Sequence, residues 1–287
     1  MTNPMQGAIP RSYLFVPGNR PDRFAKAFAA GADAVIIDLE DAVPPTQKSE
    51  ARKNAAAWLS QGKATLLRIN GVTTEWSRED LEICALRGVA GVLLPKAERV
   101  EDLGILREKA NASAEILPLI ETAVGFWNAI ELARAARVQR LIFGEIDFQL
   151  DLGIQGTGEE LLHFQSHLVL VSRLAGIQPP VAGINTAIDD LESLRADTLR
   201  SRRLGFGAKL LIHPKQIAIV HECFRPSTEE IAWAKQVLEA AAKSQGAAVA
   251  MQGQLVDKPI IAKAESILSE AEHRGKLSKQ SVQKAIS

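Results

Sequence analysis

Residues 34–43 read AVIIDLEDAV. Ala34, Val35, Ile36 and Ile37 suit a strand covered on both faces, yet the run ends abruptly in Asp38, Glu40 and Asp41. A strand buried on both faces belongs to a parallel sheet, where the middle is apolar and polar side chains gather at the ends. The acidic residues therefore mark the place where this strand leaves the core.

The same pattern recurs along the chain. YLFVP (13–17), TLLRIN (65–70), GVLLPKA (91–97), EILPLIET (115–122), RLIFGEID (140–147), a weaker PVAGIN (180–185) and AKLLIHP (208–214) are further strand candidates. Polar residues close strand after strand: Arg68 and Asn70, Lys96, Glu121, Glu145 and Asp147, Asn185, then His213 and Lys215. Between them lie longer Ala-, Leu- and Glu-rich segments such as RFAKAFAAG (23–31), where Phe24, Ala27 and Phe28 recur at helical spacing and Gly31 stops the helix. Eight alternating units predict an α/β fold of the TIM (β/α)8 type, whose strand C-termini all open onto one face that carries the active site. An open doubly wound sheet would also bind a ligand at the strand ends. No GxGxxG follows the first strand and no GxxxxGK[ST] occurs anywhere, so the barrel is the favoured reading.

The chain has 287 residues, 46% of them hydrophobic, with 34 basic residues balancing 34 acidic ones. Neutral charge supplies no electrostatic reason for nucleic acid or an anionic membrane as partner. The two cysteines, Cys84 and Cys223, have no metal-ligand spacing, and the N-terminus has no continuous apolar stretch. No later segment reaches the roughly 20 apolar residues of a membrane span. The expected location is the cytoplasm, without structural disulfides.

After His213 the composition shifts. FRPSTEEIAWAKQVLEAAAKSQG (224–246) begins a helix at Pro226-Ser227, with Glu229 and Glu230 in its first turn, and a second helical run follows AVAMQGQLVDKP. This exceeds the one helix needed to finish a barrel. The expected division is a barrel domain at 1–222 and an appended helical subdomain at 223–287.

Two neighbouring strand ends, Glu121 and Asp147, would bring carboxylates close enough to repel unless a cation joined them. A hard divalent ion such as Mg²⁺ would resolve the conflict, as would a neighbouring Arg or Lys. Arg68 presents a fork suited to a carboxylate or a developing oxyanion, or to a structural ion pair with Asp38 or Glu40. Asp38 and Glu40 share a strand face, while Asp41 begins the turn. These three could bind metal, orient Arg68 or anchor the loop. His163 and His167 stand at i, i+4 without a third ligand, which favours packing or surface roles. His213 has no partner in a nucleophile motif.

RSYLFVPGNRPDRFAKA, GADAVIIDLEDAVPPTQKSEAR, LLRING, VLLPKAE, LIETAVG, FGEIDFQLDLG, GFGAKLLIHPKQI, FRPSTEEIAWA and QLVDKP run in the order found in citrate lyase beta subunit-like proteins. The sequence resembles this family of CoA-ester lyases, which includes malyl-CoA and citramalyl-CoA lyases, over about residues 11–270. The resemblance implies a TIM barrel with a C-terminal lid, assembled as trimers or pairs of trimers. It also implies Mg²⁺-dependent, reversible cleavage of a 3-hydroxyacyl-CoA into an acyl-CoA and a 2-oxo acid such as glyoxylate or pyruvate. Matched residue by residue, Glu121 and Asp147 correspond to the Mg²⁺ ligands and Arg68 to the arginine that engages the thioester. Glu40 and Asp41 correspond to the surrounding acidic residues. Asp257, which the local sequence alone reads as a turn residue before Pro259, corresponds to a lid aspartate acting in a neighbouring subunit. Arg11, Arg20 and Lys26 fall in the segment associated with CoA. Departures are Leu255 for a common Met, Gln165 for a common Arg, and the bulky Phe126-Trp127 pair. Alternatives are a citrate lyase beta subunit acting on a carrier-protein thioester, a class II pyruvate aldolase without CoA, and a non-catalytic acyl-CoA-binding barrel.

Overall fold

The computed structural model describes residues 9–156, 158–243, 249–251 and 254–286; the N-terminal stretch without a continuous apolar run lies mostly outside them, in residues 1–8. Eight parallel strands close into a barrel in chain order, β1 pairing with β8. They are β1 (Ser12–Pro17), β2 (Ala34–Asp38), β3 (Thr65–Arg68), β4 (Val89–Leu94), β5 (Glu115–Ile120), β6 (Ile142–Phe143), β7 (Val181–Ala182) and β8 (Ala208–Leu211). The surrounding helices are α1 (Phe24–Ala29), α2 (Lys48–Leu59), α3 (Ser77–Ile83), α4 (Val100–Lys109), α5 (Ala123–Trp127), α6 (Ala129–Arg134), α7 (Glu145–Leu152), α8 (Leu162–Ala175), α9 (Leu191–Leu204) and α10 (Gln216–Cys223).

Strand alternation divides the apolar residues into two cores. Tyr13, Ile36, Leu66, Leu93, Leu117 and Leu210 are among those that fill the barrel interior. Leu14, Val35, Ile37, Leu67, Val92 and Ile116 point outward and pack under the helices with Trp58, Leu106 and Leu132. The inward parity sets the site: one further step along the same face leads from Ile36 to Asp38, from Leu66 to Arg68 and from Leu119 to Glu121. Ile36 is opposite Leu66, and Asp38 is opposite Arg68, in the β2–β3 register.

Two expectations need correction. The sixth strand is only Ile142–Phe143, so Asp147 does not end a strand; it lies in the first turn of α7. Gly144 caps that helix, and Glu145 and Asp147 follow where the helix dipole favours negative side chains, which overrides the strand-like run before them. The fourth strand starts at Val89 and stops at Leu94, leaving Lys96 beyond it.

The second unit begins at Arg225 and the first ends at Phe224. The last barrel helix runs to Cys223, and Cys223 and Phe224 are buried, which carries the division just past residue 222. The second unit holds α11 (Thr228–Lys243), an antiparallel hairpin of β9 (Val249–Met251) and β10 (Gln254–Val256), and α12 (Lys258–Ile286). Ala234, Val237, Val256 and Ala264 form its own small core. No helix among the described residues is long and apolar enough to cross a membrane.

Candidate active site

A cleft of about 390 Å³ opens at the C-terminal mouth of the barrel, with Phe15, Asp38, Arg68, Glu121 and Asp147 in its wall. Arg68 is its organising cation. Its Nε and Nη2 donate to the two carboxylate oxygens of Asp38 at 2.7 Å each, a fork-on-fork pair that fixes the guanidinium plane. Nη1 lies 2.9 Å from Glu40 Oε2 and 3.6 Å from Asp41 Oδ2. The ring of Phe15 covers the guanidinium at 4.7 Å. Burial alone would weaken its charge, but Asp38, Glu40 and Asp41 outweigh that and raise its pKa further above the ordinary arginine value. Of the two roles the sequence left open for Arg68, the ion pair with Asp38 and Glu40 is formed, and the arginine still faces the cleft.

Asp38 also accepts from the backbone N–H groups of Glu40 at 2.9 Å and Ala42 at 3.2 Å, so one carboxylate holds both Arg68 and the acidic turn. A buried lysine that the sequence pattern does not single out braces the turn from below. Lys48 Nζ donates to the carbonyls of Leu39 at 2.7 Å and Glu40 at 2.8 Å, and to Asn70 Oδ1 at 2.6 Å. Asn70 in turn is held by Asp80, which accepts from its backbone and side chain and pairs with Arg52. No local motif announces this chain of contacts, because its members come from separate β-α segments.

Opposite Arg68, Glu121 is 2% exposed and accepts from the Lys96 backbone N–H at 2.8 Å. Burial pushes its carboxyl up to about 8, with the nearby charge of Glu40 adding to the rise. Glu40 itself is pushed up to about 7, first by burial, with Arg68 opposing and Asp41 reinforcing the change. Glu121 needs a glycine beside it: a Cβ on Gly144 would stand 2.4 Å from Glu121 Oε2 and 2.6 Å from its Cβ. Asp147 reaches the same space from α7. The Lys96 ammonium lies among these acids, 3.4 Å from Glu40 Oε1, 3.9 Å from Glu121 Oε1 and 3.9 Å from Asp147 Oδ1.

The donor set suits a hard cation. Glu121 and Asp147 already share one positive charge, and two carboxylates with water and ligand oxygens are what Mg²⁺ accepts. Among the described residues no group of three or more His, Cys, Asp or Glu side chains is placed to hold a metal ion, so a metal here would rest on these two carboxylates. A metal here would leave positions for a ligand.

Beside the mouth, sharing Phe15 and Ile212 with it, lies a second cleft of about 410 Å³. Arg20 and Lys26 line it, joined by Arg23 and His213, for which the sequence suggested no binding role. Arg11 does not. It precedes β1 at the opposite end of the barrel, where its backbone N–H and side chain bind Asp33. Arg11 therefore leaves the candidate CoA-binding set, because the strand carries it away from the face where Arg20 emerges.

His167 packs against Phe126 at a ring separation of 4.8 Å within a cluster of Phe148, Phe164 and His163, in keeping with a packing role. Gln165 is buried in α8 and does not line the mouth. In the second unit, Asp257 Oδ1 accepts from the Ile260 N–H at 3.3 Å and its carbonyl from Ile261 at 2.9 Å, so Asp257 caps α12.

A parallel barrel with a carboxylate pair, an arginine and a basic cleft at one mouth defines a family-level match. Residues 11–214 match the HpcH/HpaI aldolase/citrate lyase family model, and the chain belongs to that family. It is similar to a citrate lyase subunit beta-like protein of Deinococcus radiodurans, 36% identical over 278 residues, covering 91% of this chain and 97% of that one. A (3S)-malyl-CoA thioesterase of Cereibacter sphaeroides is 36% identical over 276 residues, covering 91% of this chain and 94% of the relative. Among solved structures, the protein CitE from Mycobacterium tuberculosis, crystallised with magnesium, acetoacetate and coenzyme A, superposes with a TM-score of 0.83. That match has 34% identity and covers 92% of this chain and 99% of the other.

Proposed function

We propose that the protein is a Mg²⁺-dependent carbon–carbon lyase that reversibly cleaves a 3-hydroxyacyl-CoA such as malyl-CoA or citramalyl-CoA. The products are an acyl-CoA and a 2-oxo acid, glyoxylate or pyruvate. One observation carries the reading: Glu121 and Asp147 converge on a single cation in the cleft that Arg68 faces, with the basic cleft of Arg20 and Lys26 alongside. The resemblance to the magnesium- and coenzyme A-bound CitE supports it.

Glu121 and Asp147 would hold the metal, which when bound supplies Lewis-acid polarisation of the oxygens of the 2-oxo acid unit. Arg68, fixed in plane by Asp38, offers its remaining N–H groups to the thioester oxygen, where negative charge grows as the C–C bond breaks. Glu40 and Asp41 hold Arg68 in that plane from its Nη1 side. Arg20 and Lys26, with Arg23, offer cations to the phosphates of CoA. Asp257 delivers or removes the proton at the enolate carbon, donated from a neighbouring subunit's lid. A homotrimer or hexamer provides that neighbour, and exposed apolar Val124, Trp127, Ile146 and Leu150 on α5 and α7 support such an association. Buried free Cys84 and Cys223 support a reducing, cytoplasmic location.

The test is a panel of malyl-CoA, 3-methylmalyl-CoA and citramalyl-CoA with Mg²⁺ or EDTA, trapping released 2-oxo acid as its phenylhydrazone and free CoA with a thiol reagent. EDTA-sensitive 2-oxo acid release that disappears in Asp257→Asn is the expected result. CoA release without 2-oxo acid would assign thioester hydrolysis instead, the activity named for the Cereibacter relative. With a carrier-protein thioester added to the panel, cleavage of that substrate alone would assign a citrate lyase beta subunit, and a wholly inert panel would sink the lyase reading.

A further inference from the structure

Lys96 is placed by an unusual backbone. It lies two residues beyond the outward-facing Leu94, so continued strand alternation would carry it away from the mouth. Its φ of 46°, a left-handed value that a lysine seldom adopts, breaks the alternation and aims its N–H at Glu121. The side chain then sits among Glu40, Glu121 and Asp147.

The manner of that contact differs from those of Arg68 and Lys48. Arg68 meets Asp38 through two contacts of 2.7 Å and is 12% exposed, and Lys48 is buried with three donors committed. Lys96 Nζ donates one long hydrogen bond of 3.4 Å to Glu40 Oε1 and stands 3.9 Å from both Glu121 and Asp147, and its side chain is 48% exposed. The backbone is anchored while the four-carbon stem has solvent to move into. An ammonium and a divalent ion cannot both occupy the space between Glu121 and Asp147, because like charges a few ångströms apart repel strongly where solvent is partly excluded.

We infer that Lys96 is a displaceable counter-ion: its ammonium holds the Glu40, Glu121 and Asp147 carboxylates together until a divalent cation takes its place and evicts it. The inference rests on the reading that Glu121 and Asp147 bind Mg²⁺. It makes Lys96 a positioning residue that tunes metal affinity. A lysine suits this better than an arginine, since a compact point charge on a flexible stem withdraws without breaking a bidentate fork.

Mg²⁺ titration calorimetry on the intact protein without substrate, comparing wild type, Lys96→Gln and Lys96→Arg, tests it. Lys96→Gln should bind Mg²⁺ about ten-fold or more tightly than wild type, the scale expected when a neighbouring like charge is removed. Lys96→Arg should show no such gain. Equal or weaker Mg²⁺ binding by Lys96→Gln overturns the inference while leaving the metal site in place; a wild type that binds no Mg²⁺ overturns both. Should the variants fail to fold, reductive methylation of wild-type Lys96, followed by peptide mass spectrometry, reads the same event. Saturating Mg²⁺ should speed modification of Lys96 several-fold, and an unchanged or slower rate overturns the inference.

Discussion

Glu121→Gln should make the metal-free protein more stable at alkaline pH while abolishing Mg²⁺ binding. The Glu121 carboxyl is raised from 4.5 to about 8, mainly by burial and then by the charge of Glu40. A carboxyl that ionises later in the folded state than in the unfolded state favours folding fully below its unfolded value, and that contribution is lost as pH rises through the folded one. Every tenfold weakening of the acid is worth about 1.4 kcal/mol, so the whole rise corresponds to ~5 kcal/mol. That sum is lost between about pH 4.5 and 8. Glutamine keeps the acceptor for the Lys96 N–H, now 2.8 Å from Glu121 Oε1, and never ionises. Urea unfolding in EDTA should therefore show the variant and wild type converging below about pH 4.5 and the variant ahead by about 2–5 kcal/mol at pH 8.5. Saturating Mg²⁺ should stabilise wild type at pH 8.5 and leave the variant unmoved. A variant less stable than wild type by the same margin at every pH would refute the reasoning, because it would show Glu121 to be a stabilising packing residue rather than an acid held ready for a cation.

Gly144→Ala keeps an ordinary backbone, φ −87°, but its Cβ would collide with Glu121; the far-ultraviolet circular dichroism should persist while calorimetric Mg²⁺ affinity falls about ten-fold or more, against an overpacking cost of ~1–3 kcal/mol. Lys48→Met takes a donor from Leu39, Glu40 and Asn70; the Leu39 and Glu40 carbonyls keep the Asn70 side-chain and Val43 backbone N–H groups, so the buried Asn70 Oδ1 loses its donor and urea unfolding should show a cost of about 1–3 kcal/mol. Burial pulls the Asp33 carboxyl upward, but His221 and Arg11 outweigh it and hold it well below the usual carboxylate range. Its contribution is present above the ordinary aspartate pKa and lost as pH falls through the lower folded value. Asp33→Asn should thus be about 2 kcal/mol less stable than wild type at pH 7, and the gap should close in titrations below about pH 4.

The parallel barrel was legible from AVIIDLED and its counterparts, because burial on both faces of a strand demands an apolar middle and relegates Asp38, Arg68 and Glu121 to the strand ends. Inward or outward aim followed from alternation with period two, so the Asp38–Arg68 pair could be anticipated as one option for Arg68. Asp147 was found at the right rim for the wrong local reason: RLIFGEID reads as one strand, and only the packing of Phe148 and the cap at Gly144 turn it into a helix start. Arg11 misled because sequence proximity to Arg20 hides the length of β1 between them, which places the two at opposite ends of the barrel.

Alternation, polar strand ends and the ordered motifs of the family are written locally, since each depends on residues close in the chain or on composition. Tertiary structure alone decided which of those ends meet. The Lys48 brace, the Gly144 clearance for Glu121 and the turn of Lys96 into three carboxylates join residues from separate strands and helices. Barrel closure brings them within ångströms, and no local propensity encodes a distance between segments.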